Sequence, residues 1–191
     1  MLPSVLDQKK KRKRELLLAA AFDLFVEKGP SSTAIDEIVR RAGVAKGTFY
    51  LYFRDRNEIL NHLIAQKSAL VIMEADEAAL ARKPSSAQEE LLFIVDEVVG
   101  RFSRDPKLLA LIYKNLSWGL FAKALGEDGG GKRDLIARLS EGKPLGDFAK
   151  VISMVLELVS SVSYSAIILE EPAGIEDMKP LLIESVRRLI A

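Results

Sequence analysis

Residues 43–53 read GVAKGTFYLYF, with four aromatic side chains close to a glycine and a lysine. If residues 46–53 form a helix, Phe49 and Phe53 lie one turn apart on one face, and this spacing predicts a core contact. The opposite, outward face then presents Gly47, Thr48 and Leu51, and Tyr50 and Tyr52 flank it. Glycine costs about 1 kcal/mol relative to alanine inside a helix. Its position on the outward face therefore favours close approach by another molecule.

A second short helix is predicted directly before this stretch. In TAIDEIVRRAG (33–43), Thr33 is predicted as the N-cap, Asp36 as the third helical position, and Gly43 as the residue that ends the helix. Two short helices joined by a tight turn make a helix-turn-helix, whose second helix enters the major groove of DNA.

The outward residues suit separate contacts to a duplex. Lys46, at the positive end of the second helix, suits a phosphate. Thr48 and Tyr50 can reach base edges, and Leu51 can touch a thymine methyl group. The residues expected to hold the sugar–phosphate backbone flank the motif: Thr33, Tyr52 and Arg56. The alternative, that aromatics at helical spacing are core, holds for Phe49 and Phe53, but burying both tyrosines would require two hydroxyl partners on opposite flanks.

Positive charge is concentrated near the start of the chain. Residues 1–60 hold 12 Lys+Arg against 8 Asp+Glu, and residues 9–14 are an unbroken cationic run. Such a run suits a polyanion such as DNA, or it is a solvated and frayed end. Because the run follows the few apolar residues at the start, the pattern is the reverse of a secretory signal. With no cysteine in the chain, these features favour a cytoplasmic protein.

The segment TAIDEIVRRAGVAKGTFYLYFRDRNEIL (33–60) closely resembles the DNA-binding segment of the TetR family of transcriptional repressors, over about residues 14–63. Val39, Ala45 and Arg56 stand where that family commonly has alanine, serine and lysine. Ala45 has no hydroxyl for a cap or a phosphate contact. By this resemblance, residues 1–56 are a helix-turn-helix domain and residues 57–191 are a helical effector-binding and dimerisation domain.

The remainder also reads as helical, so the fold class predicted is all-α. Asp55 with Glu58, and Ser86 with Glu89, have the spacing of capping pairs; the first starts a helix that runs to about Ala81. Asp105 and Pro106 start a helix expected to reach Gly126, and GEDGGGKR (126–133) is expected to be a loop. Two more helices are predicted at about 147–169 and 175–190.

The first of these last two helices, in FAKVISMVLELVSSVSYSAIIL (148–169), is long enough to span a membrane. Glu157 in its middle argues against a span, and burial in a subunit interface explains the same apolarity. The resemblance implies a homodimer through the last two helices, with two recognition helices on a palindromic operator.

A small-molecule effector is expected to bind in the second domain, and the chemistry suggests an apolar or aromatic compound. The candidate pocket residues are aromatic or polar: Tyr113, Asn115, Trp118, Phe121, Glu157 and Tyr164. Ordinary core packing is the alternative for each of them.

Other functional classes have little support in the sequence. Gly126, Gly131 and Lys132 have phosphate-loop spacing, but Arg133 replaces the required Ser or Thr and no strand precedes. His62 has no partner set for catalysis, and no cofactor or metal motif is visible. The function predicted is a ligand-responsive repressor. The alternatives are a nonspecific DNA-binding protein and an enzyme with a helical cofactor-binding body.

Overall fold

The computed structural model describes residues 5–116, 119–120, 131–140 and 144–191. This part of the chain contains helices and turns and no strand, so the prediction of an all-helical fold is confirmed. The helices are α1 (Val5–Lys28), α2 (Ile35–Ala42), α3 (Lys46–Tyr50), α4 (Arg56–Ala81), α5 (Ala87–Arg104), α6 (Pro106–Asn115), α7 (Gly131–Ser140), α8 (Leu145–Tyr164) and α9 (Ile175–Leu189). A π-helical stretch, Ser165–Leu169, continues α8.

The chain divides into two compact units, Met1–Ile64 and Ala65–Ala191. Helix α4 starts in the first unit and ends in the second. The division at residues 56 and 57 that the sequence suggests stays a prediction.

Two glycines shape the first unit. Gly29 ends α1 with a φ of 84°, and its N–H donates to the carbonyl of Phe25 at 3.0 Å. Gly43 ends α2 with a φ of 66°, and the following N–H, of Val44, donates to the carbonyl of Val39 at 3.1 Å. Both values lie in the left-handed region that glycine adopts without steric cost. Helix α2 therefore stops sharply and packs on α1 and α3, which is the predicted helix-turn-helix arrangement.

The predicted N-cap of α2 was wrong by one residue. Ala34 occupies the N-cap position, and Glu37, rather than Asp36, is the third helical residue; its carboxylate accepts from the Ala34 N–H at 2.9 Å. The Thr33 side chain is buried, and its hydroxyl donates to the carbonyl of Gly29 at 2.9 Å. Thr33 thus closes the turn between α1 and α2.

Helix α3 is shorter than predicted and ends at Tyr50 instead of Phe53. The N–H of Tyr52 reaches the carbonyl of Phe49, three residues back, at 3.0 Å, so the chain tightens at this point. Phe53 still donates its N–H to Phe49 at 2.9 Å. Both phenylalanines are buried, which confirms their predicted place in the core.

The second unit confirms two predicted helix starts. Ser86 accepts the N–H of Glu89 at 3.1 Å, and Asp105 accepts the N–H of Leu108 at 3.1 Å. The predicted length of α6 was wrong: the helix ends at Asn115 because Leu116 is extended, with a ψ of 122°. Helix α7 was not predicted, and it includes the last residues of the supposed loop.

Helix α8 packs against α5, α6 and α9. The stretch Gly146–Leu169 contains an 18-residue window with a mean hydropathy of 1.8, and by length and composition it could cross a membrane. Only 22% of the residues in that window are buried within the chain. An interface between protein subunits accounts for the same apolarity as well as a membrane does.

Candidate functional site

The outward face of α3 is open. Tyr50 is 53% exposed and Leu51 is 79% exposed. A Cβ atom added to Gly47 would meet no other atom within 4 Å, so packing inside the chain does not require glycine at this position. Thr48 is half-buried beside them. Small, hydroxyl and apolar groups are therefore available together to another molecule.

The inner face of the same helix is firmly anchored. Phe49 is completely buried and contacts the Tyr50 ring edge-on, with ring centroids 5.4 Å apart. Phe53 packs 5.7 Å from Phe49, and the Arg14 guanidinium lies 5.6 Å from the Phe53 ring centroid. Arg14 also donates to His62 at 2.8 Å. These contacts tie α3 to α1 and α4, so the open face is held in one orientation.

Lys46 forms an exposed ion pair with Asp36 of α2, with 2.7 Å between Nζ and Oδ1. The hydrogen bond that Lys46 donates to Asp36, together with the negative charge of Asp36, raises the pKa of Lys46 above its ordinary value. Both side chains are more than half exposed, so the pair contributes little stability, but it orients the ammonium group. Ala45 is the N-cap of α3 and makes no side-chain cap, as its residue type predicts.

Two predicted backbone-holding residues have contacts inside the protein. Besides the buried Thr33, Arg56 donates to the carbonyl of Ser31 at 2.9 Å and to that of Thr33 at 3.3 Å. The first residue of α4 therefore braces the turn between α1 and α2. Tyr52 is half-buried. In this conformation Thr33 has no side-chain atom to offer to a phosphate, and its part in the site is to shape the turn.

The effector pocket predicted from the sequence stays a prediction, and four of its six residues lie in the part of the chain that the structure describes. Tyr113 and Tyr164 stack with ring centroids 4.3 Å apart. Asn115 donates its amide to the carbonyl of Leu111, one turn back, at 2.7 Å, and Glu157 is exposed on α8. Trp118 and Phe121 lie outside the described residues.

A cavity of about 100 Å³ lies elsewhere in the second unit, and its lining is wholly apolar. Helices α4, α5, α7 and α8 contribute to its wall: Ile72, Leu91, Ile94, Val95, Val98, Leu135, Ile136, Leu139, Phe148, Ile152, Val155, Leu156 and Val159. None of the predicted pocket residues that the structure describes lines it. Twelve aliphatic side chains and one phenylalanine suit a hydrocarbon group and offer no partner to a polar one.

Sequence reasoning also missed a charged cluster beside this region. Arg138 of α7 donates to Asp76 of α4 at 2.7 Å and to Glu90 of α5 at 3.0 Å, and both acidic side chains are only 8% exposed. Burial alone would lower the pKa of Arg138, but the hydrogen bonds to Asp76 and Glu90 raise it above its ordinary value. The cluster joins three helices that each contribute to the cavity wall.

Residues 17–63 match the family model for bacterial regulatory proteins of the tetR family. The helix-turn-helix segment is a TetR-family segment. The matched residues include α2, α3 and the start of α4, the same elements that hold the open face.

Known TetR-family relatives match in part. The fatty acid metabolism regulator protein of Bacillus subtilis (strain 168) is 28% identical over 101 residues, which are 53% of this chain and 51% of that protein. The probable acrEF/envCD operon repressor of Escherichia coli (strain K12) is 26% identical over 102 residues, 52% of this chain and 46% of that protein. The chain thus matches about half the length of each of these two relatives.

A solved structure matches over most of the chain. The transcriptional regulator FadR from Bacillus subtilis, in complex with stearoyl-CoA, has a TM-score of 0.58 at 18% identity, covering 93% of this chain and 99% of that one. At this identity the likeness shows that the two share a fold.

Proposed function

We propose that this protein is a cytoplasmic, homodimeric transcriptional repressor of the TetR family that binds a palindromic operator and is released by an apolar effector. The observation that carries the proposal is the open face of α3, whose Gly47, Tyr50 and Leu51 are exposed while Phe49 and Phe53 hold the helix from behind. A rigid helix with such a face is suited to the major groove, where hydroxyl groups and apolar side chains distinguish base pairs.

The proposed DNA contacts follow the surface. Thr48, Tyr50 and Leu51 meet base edges; Lys46, Tyr52 and the main chain at Ala45 meet the sugar–phosphate backbone. Arg56 acts mainly by bracing the turn before α2. Arg56 is half-buried there, so only the guanidinium N–H groups that do not bond to Ser31 or Thr33 are available to a phosphate.

A homodimer is supported by the apolar surface of the last two helices. Met154, Leu169 and Leu181 are each about half exposed or more, and most of the 146–169 stretch is not buried within one chain. A two-fold pairing of these helices buries that surface. It also supplies the second recognition helix, which must lie about 34 Å from the first to read successive major grooves.

The apolar cavity is the proposed effector site. Its lining matches a hydrocarbon chain in chemistry, and the likeness to a FadR bound to stearoyl-CoA favours an acyl chain as its occupant. Ile72 of α4 lines the cavity, and α4 begins with the residue that braces the helix-turn-helix. An effector that prefers one position of α4 therefore shifts the population away from the DNA-binding state.

The DNA-binding proposal is tested with duplexes selected from a random pool by the purified protein. Tyr50→Ala is expected to relax base preference at one position of each half-site, at a cost of about 1 to 3 kcal/mol on the preferred base. Lys46→Ala should weaken binding to all sequences alike. Tyr50→Phe keeps the ring and removes the hydroxyl, so it separates hydrogen bonding from packing. Unchanged base preference in Tyr50→Ala would contradict the proposal.

The effector proposal is tested by thermal unfolding with fatty acids and acyl-CoA compounds of increasing chain length. A compound that binds the folded protein at 100 times its Kd stabilises it by about 2.7 kcal/mol. Val95→Phe, which places a ring in the cavity, should abolish this stabilisation. Equal stabilisation of the variant and the wild type would place the effector elsewhere.

A nonspecific DNA-binding protein is the second candidate, because the cationic start of the chain serves either role. It would show the same salt dependence without preference for an operator. Competition between the selected duplex and random DNA distinguishes the two.

A further inference from the structure

Helix α1 sorts the cationic run of residues 9–14 onto two faces. Lys9, Arg12, Lys13 and Leu16 recur at three- and four-residue spacing and share one exposed face. Arg14 lies on the other side, where it donates to His62 and covers the Phe53 ring. The run therefore combines a structural arginine with a separate cationic stripe.

The stripe faces the helix-turn-helix across a groove of about 720 Å³. One wall is cationic and comes from α1, and the other comes from the turn between α2 and α3 and from α3 with the turn after it. The lining residues are Lys9, Lys10, Arg12, Lys13, Leu16, Gly43, Val44, Thr48, Leu51 and Tyr52.

The four cations that line the groove, Lys9, Lys10, Arg12 and Lys13, differ from three other cations of the first unit. Lys28, Arg41 and Lys46 each pair with a carboxylate at 2.5 to 2.7 Å. Among the described residues, no carboxylate pairs with any of the four cations that line the groove, and all four are exposed. Lys11, on the opposite face of α1, has Glu15 at 4.0 Å. Positive charge without an ion-pair partner therefore collects along the groove.

We propose that this groove holds one sugar–phosphate strand of the duplex that α3 reads, so that α1 is a second DNA-binding element. This inference rests on the proposed DNA-binding function. Residues 9 to 16 extend about 10 Å along the helix axis at 1.5 Å per residue. One strand of B-DNA has a phosphate for about every 3.4 Å of the duplex axis, so at most about three phosphates fit along the stripe.

The composition of the groove matches a nucleic acid strand. Phosphate oxygens meet the cationic wall, and the apolar carbons of deoxyribose meet Leu16 and Val44. A strand is favoured over an acidic peptide because the groove is continuous with the open face of α3: Thr48 and Leu51 belong to both. A duplex seated on α3 therefore brings its own backbone to the stripe.

The test compares two double variants of the full chain that remove the same charge. Lys9→Gln/Lys13→Gln changes the groove wall, whereas Lys11→Gln/Lys107→Gln changes the opposite face of α1 and an exposed position of the second unit. Binding to the selected operator and to random duplex is measured from 50 to 300 mM salt, with thermal unfolding as the control for folding.

The groove variant is expected to lower the slope of log K against log salt by roughly two to four for a dimer, at about 0.9 for each phosphate that the variant no longer neutralises. Its affinity at 150 mM salt should fall about tenfold or more on both duplexes, while the matched control keeps its slope within about one. Equal slopes in the two variants would overturn the inference, because the effect would then come from net charge alone.

Failure of the proposed function gives a different result. If the wild type binds operator and random DNA equally, the repressor proposal fails while the difference in slope still reports on the groove. A polyglutamate peptide serves as the second probe. If the peptide binds the wild type but not the groove variant, and the duplex slopes of the two variants are equal, the groove binds an acidic peptide and the inference is overturned. If the protein binds no duplex at all, the inference is overturned as well.

Discussion

In the first compact unit, many polar contacts join residues that are near each other in the sequence, whereas in the second the main ones join distant helices. Lys28 and Glu37 are 9 positions apart, while Arg138 and Asp76 are 62 apart. The exposed surfaces differ too: the first unit exposes a cationic stripe, and the second exposes apolar residues such as Leu181. Short-range contacts can be predicted from local sequence, although the first unit also contains the pair of Arg14 and His62, which are 48 positions apart.

The largest expected loss of stability comes from a substitution in the core of the first unit. Phe49→Ala removes a completely buried ring and should destabilise this unit by about 3 to 5 kcal/mol. Amide hydrogen exchange should then show loss of protection in α2 and α3 while α5 and α8 stay protected.

The adjacent Tyr50→Ala is the matched control for this substitution. Tyr50 is half exposed, so its loss should cost less than about 1 kcal/mol. Equal loss of protection in both units after Phe49→Ala would contradict their independence.

The next largest loss of stability is expected when a long-range ion pair of the second unit is removed. Arg138→Ala leaves Asp76 and Glu90 buried beside each other without a cation. We expect a loss of about 2 to 3 kcal/mol in urea unfolding, less than for a wholly buried pair because Arg138 keeps about a third of its side chain in water. Adding Asp76→Asn and Glu90→Gln should restore at least half of the loss. No recovery in the triple variant would show that packing, rather than charge, accounts for the loss.

The first unit was largely predictable because its signals are local. Gly43 adopts left-handed backbone where the sequence predicted the end of a helix, and the periodicity placed Phe49 and Phe53 inside. The error at Thr33 has a physical cause. A hydroxyl beside a helix start is normally a cap, but here the carbonyl of Gly29 takes it, so the cap position moves to Ala34.

The second unit was predictable in its helices but not in its site. Because of the three glycines at 129–131, the sequence predicted a loop where α7 begins, and the role of Arg138 in this helix was not predicted. The partners of Arg138 lie on two other helices, and no local pattern links them. Aliphatic residues have the same periodic spacing whether they fill a core or line a cavity. The apolar cavity could therefore not be predicted from the sequence.

A smaller effect concerns the apolar surface of the second unit. Leu181 is 64% exposed on α9, and Leu181→Glu should leave the folded chain intact while weakening the proposed dimer by about tenfold or more, because a charge would be buried in the interface. Analytical ultracentrifugation over a range of concentrations measures the dimer directly. Leu70→Glu, at an exposed leucine of α4, is the control. Equal dissociation of the two variants, or none in Leu181→Glu, would remove α9 from the interface.

The smallest effect depends on pH and tests the long-range pairs again. Asp96 of α5 accepts from Lys179 of α9 at 2.5 Å and from Arg82 at 3.0 Å. Burial alone would raise the pKa of Asp96, but these two hydrogen bonds outweigh it and hold the pKa below the ordinary value. Because the folded pKa is the lower one, the stabilisation is fully present above the unfolded value of about 3.9 and is lost as pH falls through the folded value.

Asp96→Asn should therefore cost about 0.5 to 1 kcal/mol at pH 7, and the difference from the wild type should shrink below about pH 4. Urea unfolding at several pH values measures this difference. Glu184→Gln, which removes a carboxylate from an exposed pair within α9, should show a smaller change across the same range, since both partners are already in water. If the loss of stability in Asp96→Asn stayed constant down to pH 3, the contacts of Asp96 would stabilise the second unit through packing and not through its charge. The long-range polar contacts would then differ from the local ones in packing only.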